Sequence, residues 1–137
     1  MTEHVASSCT IWNWATIPVE RIAEGITRQM VYGESLMVCR LTLAPGTITT
    51  AHEHVHEQMT LIERGRVRFL LGRDERVLGP GDVVLLPSGL WHGATMLDDE
   101  VVLIDIFTPL REDFLKKEAA ANDSANTSVG AFAEVSD

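Results

Sequence analysis

Three histidines recur at every second position in TAHEHVHEQMTLIERG, the segment that covers residues 50–65. They are His52, His54 and His56, and Gln58 follows two residues after the last of them. Imidazole is the commonest metal ligand in proteins, and carbonyl oxygens also bind divalent ions. Alternate residues of a strand share one face, so His52 and His54 can converge on one ion. This pattern predicts a metal site.

Gln58 fits such a site only if the backbone does not continue as a straight strand. A straight strand would separate His52 from Gln58 by roughly 20 Å, which no single ion spans. Either Gln58 is not a ligand, or the chain bends or bulges between His54 and Gln58, as strands beside active sites often do. A bend takes His56 out of the alternation, so we expect His56 to lie beside the site and not in it.

A fourth candidate is His92 in GDVVLLPSGLWHG, where it follows the turn Pro87-Ser88-Gly89. Taken alone, an isolated histidine is more often a satisfied core or surface residue than a ligand. Trp91 and Met96, on either side of it, are expected to be packing residues.

Short apolar runs between residues 36 and 109 set the expected architecture. They are rich in β-branched and aliphatic residues, too short for stable helices and separated by turn residues, which is typical of an all-β domain. A chain of short strands must hide its edges, so we expect closed or two-sheet antiparallel packing. The runs are LMVCRLTL, QMTLIE, VRFLL, RVL, DVVLLP and VVLIDIF.

The two ends of the chain differ from this central part. In CTIWNWATIP, Trp12 and Trp14 share one face of a predicted strand and either pack in a core or interface or stack on a ligand. Near the other end, Thr108 is expected to cap a short helix with Pro109 at its first position.

The 137 residues fit one domain. We divide the chain into N-terminal strands or arm (1–33), a barrel with its closing helix (34–117) and a disordered tail (118–137). The tail is small and polar, with too little apolar surface to offset the entropy of ordering.

Composition excludes several classes of protein. Twenty acidic and eleven basic residues give a net charge of −9 with no basic stripe, which argues against a nucleic-acid partner. No apolar segment approaches the roughly 20 residues needed to span a membrane. Two cysteines are too few for a disulfide framework, and the N-terminus lacks a basic region followed by an apolar run. We therefore expect a cytoplasmic protein.

Two spaced motifs make the chain resemble the cupins. The first is Gly, five residues, His-x-His, three or four residues, an acid, six residues and Gly, and here glutamine replaces the acid. The second is Gly, five residues, Pro-x-Gly, two residues, His, three residues and Asn, and here methionine replaces the asparagine. The resemblance implies a single cupin jelly-roll barrel, or double-stranded β-helix, with a short C-terminal helix. The corresponding positions are Gly46, His52, His54, Gln58, Gly65, Gly81, Pro87, Gly89, His92 and Met96.

A narrower resemblance is to the KdgF-like pectin-degradation cupins. It runs from about residue 25 to residue 115, through GITRQMVYGESLMVCRLTLAPG, HEHVHEQ, VLGPGD and DIFTPLREDFL. One departure is local: Met59-Thr60-Leu61 stands where such cupins often have Ile-Gly-Tyr, so a tyrosine near the site is missing. By position, the metal ligands of this family correspond to His52, His54, Gln58 and His92, and its functional residues around the substrate correspond to Asp105, Phe107 and Arg111.

This resemblance implies conversion of 4,5-unsaturated uronates, released by pectin or alginate lyases, to linear keto forms by an isomerase or lyase-type enzyme. A small anionic sugar is then the substrate. A divalent transition metal (Zn, Ni, Mn or Fe) is the implied cofactor, and the implied assembly is a homodimer with N-terminal strands at the interface. The alternatives are a metal-dependent dioxygenase, a keto-acid isomerase and a non-catalytic sugar-binding cupin.

The residue types fit this chemistry, with one competing interpretation each. Glutamine leaves the full charge on the ion, which favours stabilisation of developing negative charge, or it merely preserves geometry. Asp105 shares strand parity with Phe107 and is expected to face the interior, either as an acid/base or as a structural residue in an ion pair with Arg111 or a hydrogen bond to the backbone. Arg111 either binds a substrate carboxylate through the paired donors of its guanidinium group or is a surface residue, and Arg28 is a second candidate for binding the carboxylate. Phe107 either shapes the pocket wall or fills the core.

Overall fold

The computed structural model of the protein describes residues 2–6 and 8–116, with side chains from residue 8 onward. A 3-10 turn (Trp14–Thr16) and a short helix α1 (residues 112–116) accompany the strands. The expected C-terminal tail lies outside the described residues. The strands are β1 (Thr2–Ala6), β2 (Cys9–Trp12), β3 (Glu20–Ala23), β4 (Ile26–Tyr32), β5 (Met37–Leu43), β6 (Ile48–His52), β7 (Glu57–Arg64), β8 (Val67–Leu71), β9 (Asp74–Leu78), β10 (Val83–Leu86), β11 (His92–Met96) and β12 (Val101–Thr108).

These strands form two antiparallel sheets and a separate hairpin. The six-stranded sheet has the order β10-β7-β12-β5-β4-β3, and the four-stranded sheet has the order β6-β11-β8-β9. The hairpin pairs β1 with β2. The predicted all-β fold with a short C-terminal helix is confirmed. The predicted apolar runs match β5, β7, β8, β9, β10 and β12, and they do not include β11.

Alternation along the six-stranded sheet separates a buried inner face from an outer face. In β5 the side chains of Met37, Cys39, Leu41 and Leu43 are buried, whereas the residues between them are partly exposed. This period of two is expected for a strand with one face on a core. The inner face packs with residues of the four-stranded sheet, among them Phe69, in one apolar cluster. The core therefore lies between the sheets.

The outer face of the six-stranded sheet carries an apolar row that crosses five strands. Leu85 of β10 lies opposite Met59 of β7, and Met59 lies opposite Ile106 of β12. Ile106 pairs with Val38 of β5, which pairs with Val31 of β4. We call these five residues the outer row. Leu85 is 49% exposed and Met59 is 39% exposed.

Two local predictions are wrong. Trp14 does not continue the strand of Trp12, because the Asn13 side chain accepts a hydrogen bond from Ala15 N and caps a 3-10 turn. Thr108 does not cap the helix, because it still belongs to β12, where it pairs with Glu57. The helix begins three residues later than the predicted first position, at residue 112.

Among the described residues, no helix has the length and hydropathy needed to cross a membrane.

Candidate metal centre

His52 and His92 reach the site from adjacent strands of the four-stranded sheet. They lie directly opposite each other at the ends of β6 and β11. Beyond this pair the register shifts, so that β6 has one residue more than β11, a β-bulge opposite Gly93. A Cβ built on Gly93 would lie 3.0 Å from Ala51 Cα, so glycine permits the close approach of the strands. The ring centroids of the two histidines are 4.6 Å apart.

His54 lies beyond the end of β6, in the connection that carries the chain from one sheet to the other. Residues 53–56 join β6 of the four-stranded sheet to β7 of the six-stranded sheet. This change of direction excludes the straight strand that would have kept Gln58 away. Gly89 N donates to the His54 carbonyl at 2.8 Å and ties the connection to the turn before β11. One ligand atom from each of His52, His54 and His92 lies within 4.8 Å of the others.

Backbone carbonyls lie beside Nδ1 of all three rings. Nδ1 of His52 is 2.8 Å from Thr50 O, Nδ1 of His92 is 2.9 Å from Leu90 O, and Nδ1 of His54 is 3.2 Å from His56 O. A carbonyl oxygen only accepts, so in the neutral rings of His52 and His92 Nδ1 carries the proton and Nε2 keeps the lone pair, whereas His54 has an oxygen acceptor beside each of its ring nitrogens. His52 Nε2 is buried and has no hydrogen-bond partner within the described residues. Such a set of lone pairs fits a divalent cation.

Gln58 adds an oxygen to this set from the six-stranded sheet. Its side chain is fully buried, and its Oε1 lies 3.0 Å from His54 Nε2. Its Nε2 donates to Thr60 Oγ1 at 2.9 Å and to Asp105 Oδ1 at 3.2 Å. Imidazole and amide are neutral ligand types, and nitrogen with carbonyl oxygen suits several divalent transition metals. The structure thus brings together the four residues predicted as ligands.

Asp105 lies on the inner face, as its strand parity predicts, and is fully buried. It is opposite Thr60 of β7 and Cys39 of β5 in the sheet. Thr60 Oγ1 donates to Asp105 Oδ1 at 2.5 Å. Thr60 was not among the predicted site residues, although its position two residues after Gln58 puts both side chains on one face of β7.

Arg111 is buried against two aromatic rings and is not a surface residue. Its Cζ lies 4.2 Å from the Phe114 ring centroid and 5.1 Å from that of Phe107. Nε and Nη2 donate to the two carboxylate oxygens of Asp113 at 3.0 and 2.7 Å. Nη1 is buried and has no hydrogen-bond partner within residues 8–116. One edge of the guanidinium is therefore anchored and one donor remains for a ligand.

Phe107 and Arg28 complete the wall around Arg111. The Phe107 ring is buried and lies 5.9 Å from the His54 ring, which connects the arginine to the histidine cluster. Arg28 also stacks on Phe114, with its Cζ 4.3 Å from the ring centroid, and pairs with Glu20 at 3.1 Å. Each arginine has a carboxylate partner, and Arg111 is the better candidate for an anionic ligand because its Nη1 is a buried donor with no hydrogen-bond partner in the part of the chain that the structure describes.

Burial and positive charge keep His54 neutral. Burial, the nearby Arg111 and the other two histidines together lower the pKa of His54 from 6.5 to about 4. The pKa of His56 is also lowered, first by burial and then by Arg111. His56 Nε2 lies 3.1 Å from Leu110 O, and its ring is outside the group of three convergent histidines.

The other residues considered from sequence are exposed at the surface or packed in the core. Trp91 is 48% exposed, whereas Met96 is buried in the core. Trp12 is partly exposed and lines a surface cavity of about 350 Å³ with Trp14. Leu61, where a tyrosine was expected, shares strand parity with exposed Met59, so it lies on the outer face of the sheet. Its identity does not bear on the histidine cluster.

Comparisons with known proteins agree with this geometry. The family model described as "Cupin domain" matches residues 39–107. The pectin degradation protein KdgF of Dickeya dadantii is 33% identical over 100 residues, which cover 72% of this chain and 91% of that protein. The structure of KdgF from Halomonas sp. superposes with a TM-score of 0.68 at 30% identity and covers 71% of this chain and 90% of that one.

An RmlC-like cupin from Shewanella frigidimarina superposes with a TM-score of 0.73 at 27% identity, covering 82% of this chain and 97% of that one. The motif spacing, the two-sheet fold and these similarities agree with one another. The chain belongs to the cupin domain family and is a KdgF-like member of it.

Proposed function

We propose that the protein is a metal-dependent enzyme that opens 4,5-unsaturated uronates, of the kind released by pectin or alginate lyases, to linear keto forms. The observation that carries this proposal is the cluster of His52, His54 and His92, with one ligand atom of each within 4.8 Å of the others, in a chain that is 33% identical to a pectin degradation protein. The conversion is an isomerisation and needs neither an oxidant nor a reductant.

The proposed ligands are the Nε2 atoms of the three histidines and Oε1 of Gln58. Zn, Ni, Mn and Fe all suit this donor set. A divalent cation held there supplies Lewis acidity to a developing oxyanion, and a neutral ligand set leaves the charge of the cation undiminished. The protein's part is to hold these four side chains with their donor atoms oriented before the substrate enters.

Arg111 is the proposed anchor for the substrate carboxylate. Its Nη1 is a buried donor without a partner in the described residues, and Asp113 together with the Phe107 and Phe114 rings fixes the plane of the guanidinium. A carboxylate that reaches this donor gains a charge-assisted hydrogen bond in a site from which much water is excluded. Phe107, between Arg111 and His54, forms the wall against which the sugar ring lies.

Asp105 is the proposed proton carrier. In the reaction the bond between C1 and the ring oxygen breaks, the C1 hydroxyl loses its proton to become an aldehyde, and C4 gains a proton as C5 becomes a ketone. One proton thus leaves oxygen and one arrives at carbon, with no net change in composition. A buried carboxyl group beside the ligand Gln58 is suited to this transfer because its surroundings can tune its pKa.

An absorbance assay on lyase-generated unsaturated galacturonate tests the proposal. Metal-loaded protein is expected to accelerate the loss of the double-bond absorbance. Asp105→Asn is expected to lower the rate by at least about 100-fold, in line with the usual contribution of general acid–base catalysis. Asp74→Asn, on the exposed strand β9, is the matched control. Tight sugar binding without turnover, or full activity of Asp105→Asn, would contradict the proposal.

We also propose a homodimer and a cytoplasmic location. The outer row supports the dimer, because an apolar row across five strands exposes surface that a second copy can cover. Sedimentation at micromolar concentration tests it: Met59→Lys should shift a dimer toward monomer, and a monomeric wild type would refute the dimer.

Two free cysteines, Cys9 and Cys39, fit a reducing compartment, and cell fractionation tests the location.

A further inference from the structure

We propose that Thr60 and Asp105 are positioning residues that set the orientation of the Gln58 amide, so that its Oε1 faces the histidine cluster. This inference rests on the metal site of the proposed function. It assigns a role to the Thr60 hydroxyl and gives Asp105 Oδ1 a role that is separate from proton transfer.

The polarity of the hydrogen bonds carries the inference. Thr60 Oγ1 donates its only proton to Asp105 Oδ1, so the threonine oxygen can offer Gln58 only a lone pair. Asp105 Oδ1 is likewise an acceptor toward Gln58, at 3.2 Å. Both neighbours on this side therefore require the NH₂ group of the amide. Gln58 Nε2 meets both, and Oε1 must point the other way, to within 3.0 Å of His54 Nε2.

The opposite orientation of the amide is attractive for a protein without metal. A cation at this site needs the His54 tautomer with its proton on Nδ1, which the His56 carbonyl accepts at 3.2 Å, and in that tautomer Nε2 presents a lone pair toward Gln58. If the amide rotated, its NH₂ group would donate to this lone pair and block the metal site. In that tautomer, Thr60 and Asp105 are the described contacts of Gln58 that oppose the rotation.

Burial and strand pairing strengthen the restraint on the Gln58 amide. Gln58, Thr60 and Asp105 are each fully buried, so water does not compete for their hydrogen bonds. Thr60 and Asp105 lie directly opposite each other on β7 and β12, which are paired along most of their length. Rotation of the amide would cost both hydrogen bonds donated by Gln58 Nε2 and would set its carbonyl oxygen against two acceptors.

The test compares two substitutions of Thr60 that distinguish the effect of its hydroxyl group from the effect of its side-chain volume. Thr60→Val keeps the volume and removes the hydroxyl, whereas Thr60→Ser keeps the hydroxyl and removes a methyl group. The dissociation constant for Zn²⁺, measured by calorimetry on the full chain, is expected to rise about 10-fold in Thr60→Val, the usual scale for loss of a residue that orients a ligand. In Thr60→Ser it should stay within about 3-fold of the wild type.

A purely structural role predicts the reverse order, because serine leaves a cavity in the core. The melting temperature of the metal-free protein, measured alongside, reports that structural cost. Thr42→Val, on the outer face of β5, is the matched control and should not change the dissociation constant. Equal Zn²⁺ affinity in the wild type and Thr60→Val, or weaker binding in Thr60→Ser than in Thr60→Val, would overturn the inference.

The outcomes separate this inference from the proposed function. If Zn²⁺ binding follows the expected order and lyase products are not converted, the positioning role stands and the proposed reaction fails. If lyase products are converted and Thr60→Val binds Zn²⁺ like the wild type, the positioning role fails alone. A wild-type protein that binds no Zn²⁺ would overturn the inference together with the metal site.

Discussion

Replacement of Gly93 by alanine should force apart the two strands that carry His52 and His92. The added Cβ would lie 3.0 Å from Ala51 Cα and 3.2 Å from Ala51 Cβ and N. Carbon atoms in ordinary contact are about 3.5 to 4.0 Å apart, so the backbones must separate by about 0.5 to 1 Å. Two of these three atoms belong to the backbone of β6 and cannot move aside as a side-chain end would.

This displacement predicts two measurable losses. Overpacking of this kind costs about 1 to 3 kcal/mol, which corresponds to a fall in melting temperature of roughly 4 to 12 °C for a domain of this size. Metal–ligand distances tolerate only about 0.2 Å, so the same shift at His92 should weaken Zn²⁺ binding at least about 10-fold.

Thermal unfolding followed by circular dichroism and Zn²⁺ calorimetry measure the two effects in Gly93→Ala. Gly33→Ala is the control, because no atom lies within 4 Å of the Cβ it would add. The control should keep the melting temperature and Zn²⁺ affinity of the wild type. If Gly93→Ala also kept both, close approach of β6 and β11 would not be what aligns the histidines.

Three further predictions concern charge and metal. The melting temperature of the metal-free protein should fall as the pH falls from about 6.5 to about 4, because His54 binds a proton in the unfolded chain but, with its lowered pKa, stays neutral in the folded protein. His54→Asn should make the melting temperature less dependent on pH in this range, and an unchanged dependence would contradict the assignment to His54. Arg111→Lys should reduce kcat/KM for an unsaturated uronate by about 10- to 100-fold, mainly through KM, because lysine loses the fork held by Asp113; an unchanged KM would remove the carboxylate anchor. Zn²⁺ at about 100 times its dissociation constant should stabilise the fold by about 2.7 kcal/mol, and a chelator should reverse this in a thermal melt; no shift would mean no site.

The candidate metal site was predictable from sequence because the residues predicted as its ligands sit in spaced motifs. His52, His54, Gln58 and His92 occupy fixed positions around glycine and proline turns, and the structure brings all four together. The inward direction of Asp105 followed from strand parity alone. Periodicity and turn residues act locally, so they can be read from a single chain.

The features that escaped prediction depend on contacts between distant segments. The tautomers of the histidines depend on where carbonyls such as Leu90 O lie in space. Thr60 gained its role only when β12 placed Asp105 opposite it. The choice between a site residue and a surface residue for Arg111 depends on its packing against the Phe107 and Phe114 rings, which spacing in the sequence does not show.

The reactivities of the two cysteine thiols can report transient separation of the two sheets. Cys39 is fully buried opposite Asp105 in the sheet, and burial, with a smaller effect of the Asp105 charge, raises the pKa of its thiol. Cys9 is exposed. A thiol reagent should therefore modify Cys9 rapidly. It should modify Cys39 only when the two sheets separate transiently and expose the core between them. When the sheets close faster than the reagent reacts, the ratio of the Cys39 rate to the Cys9 rate approximates the fraction of molecules that are open under native conditions.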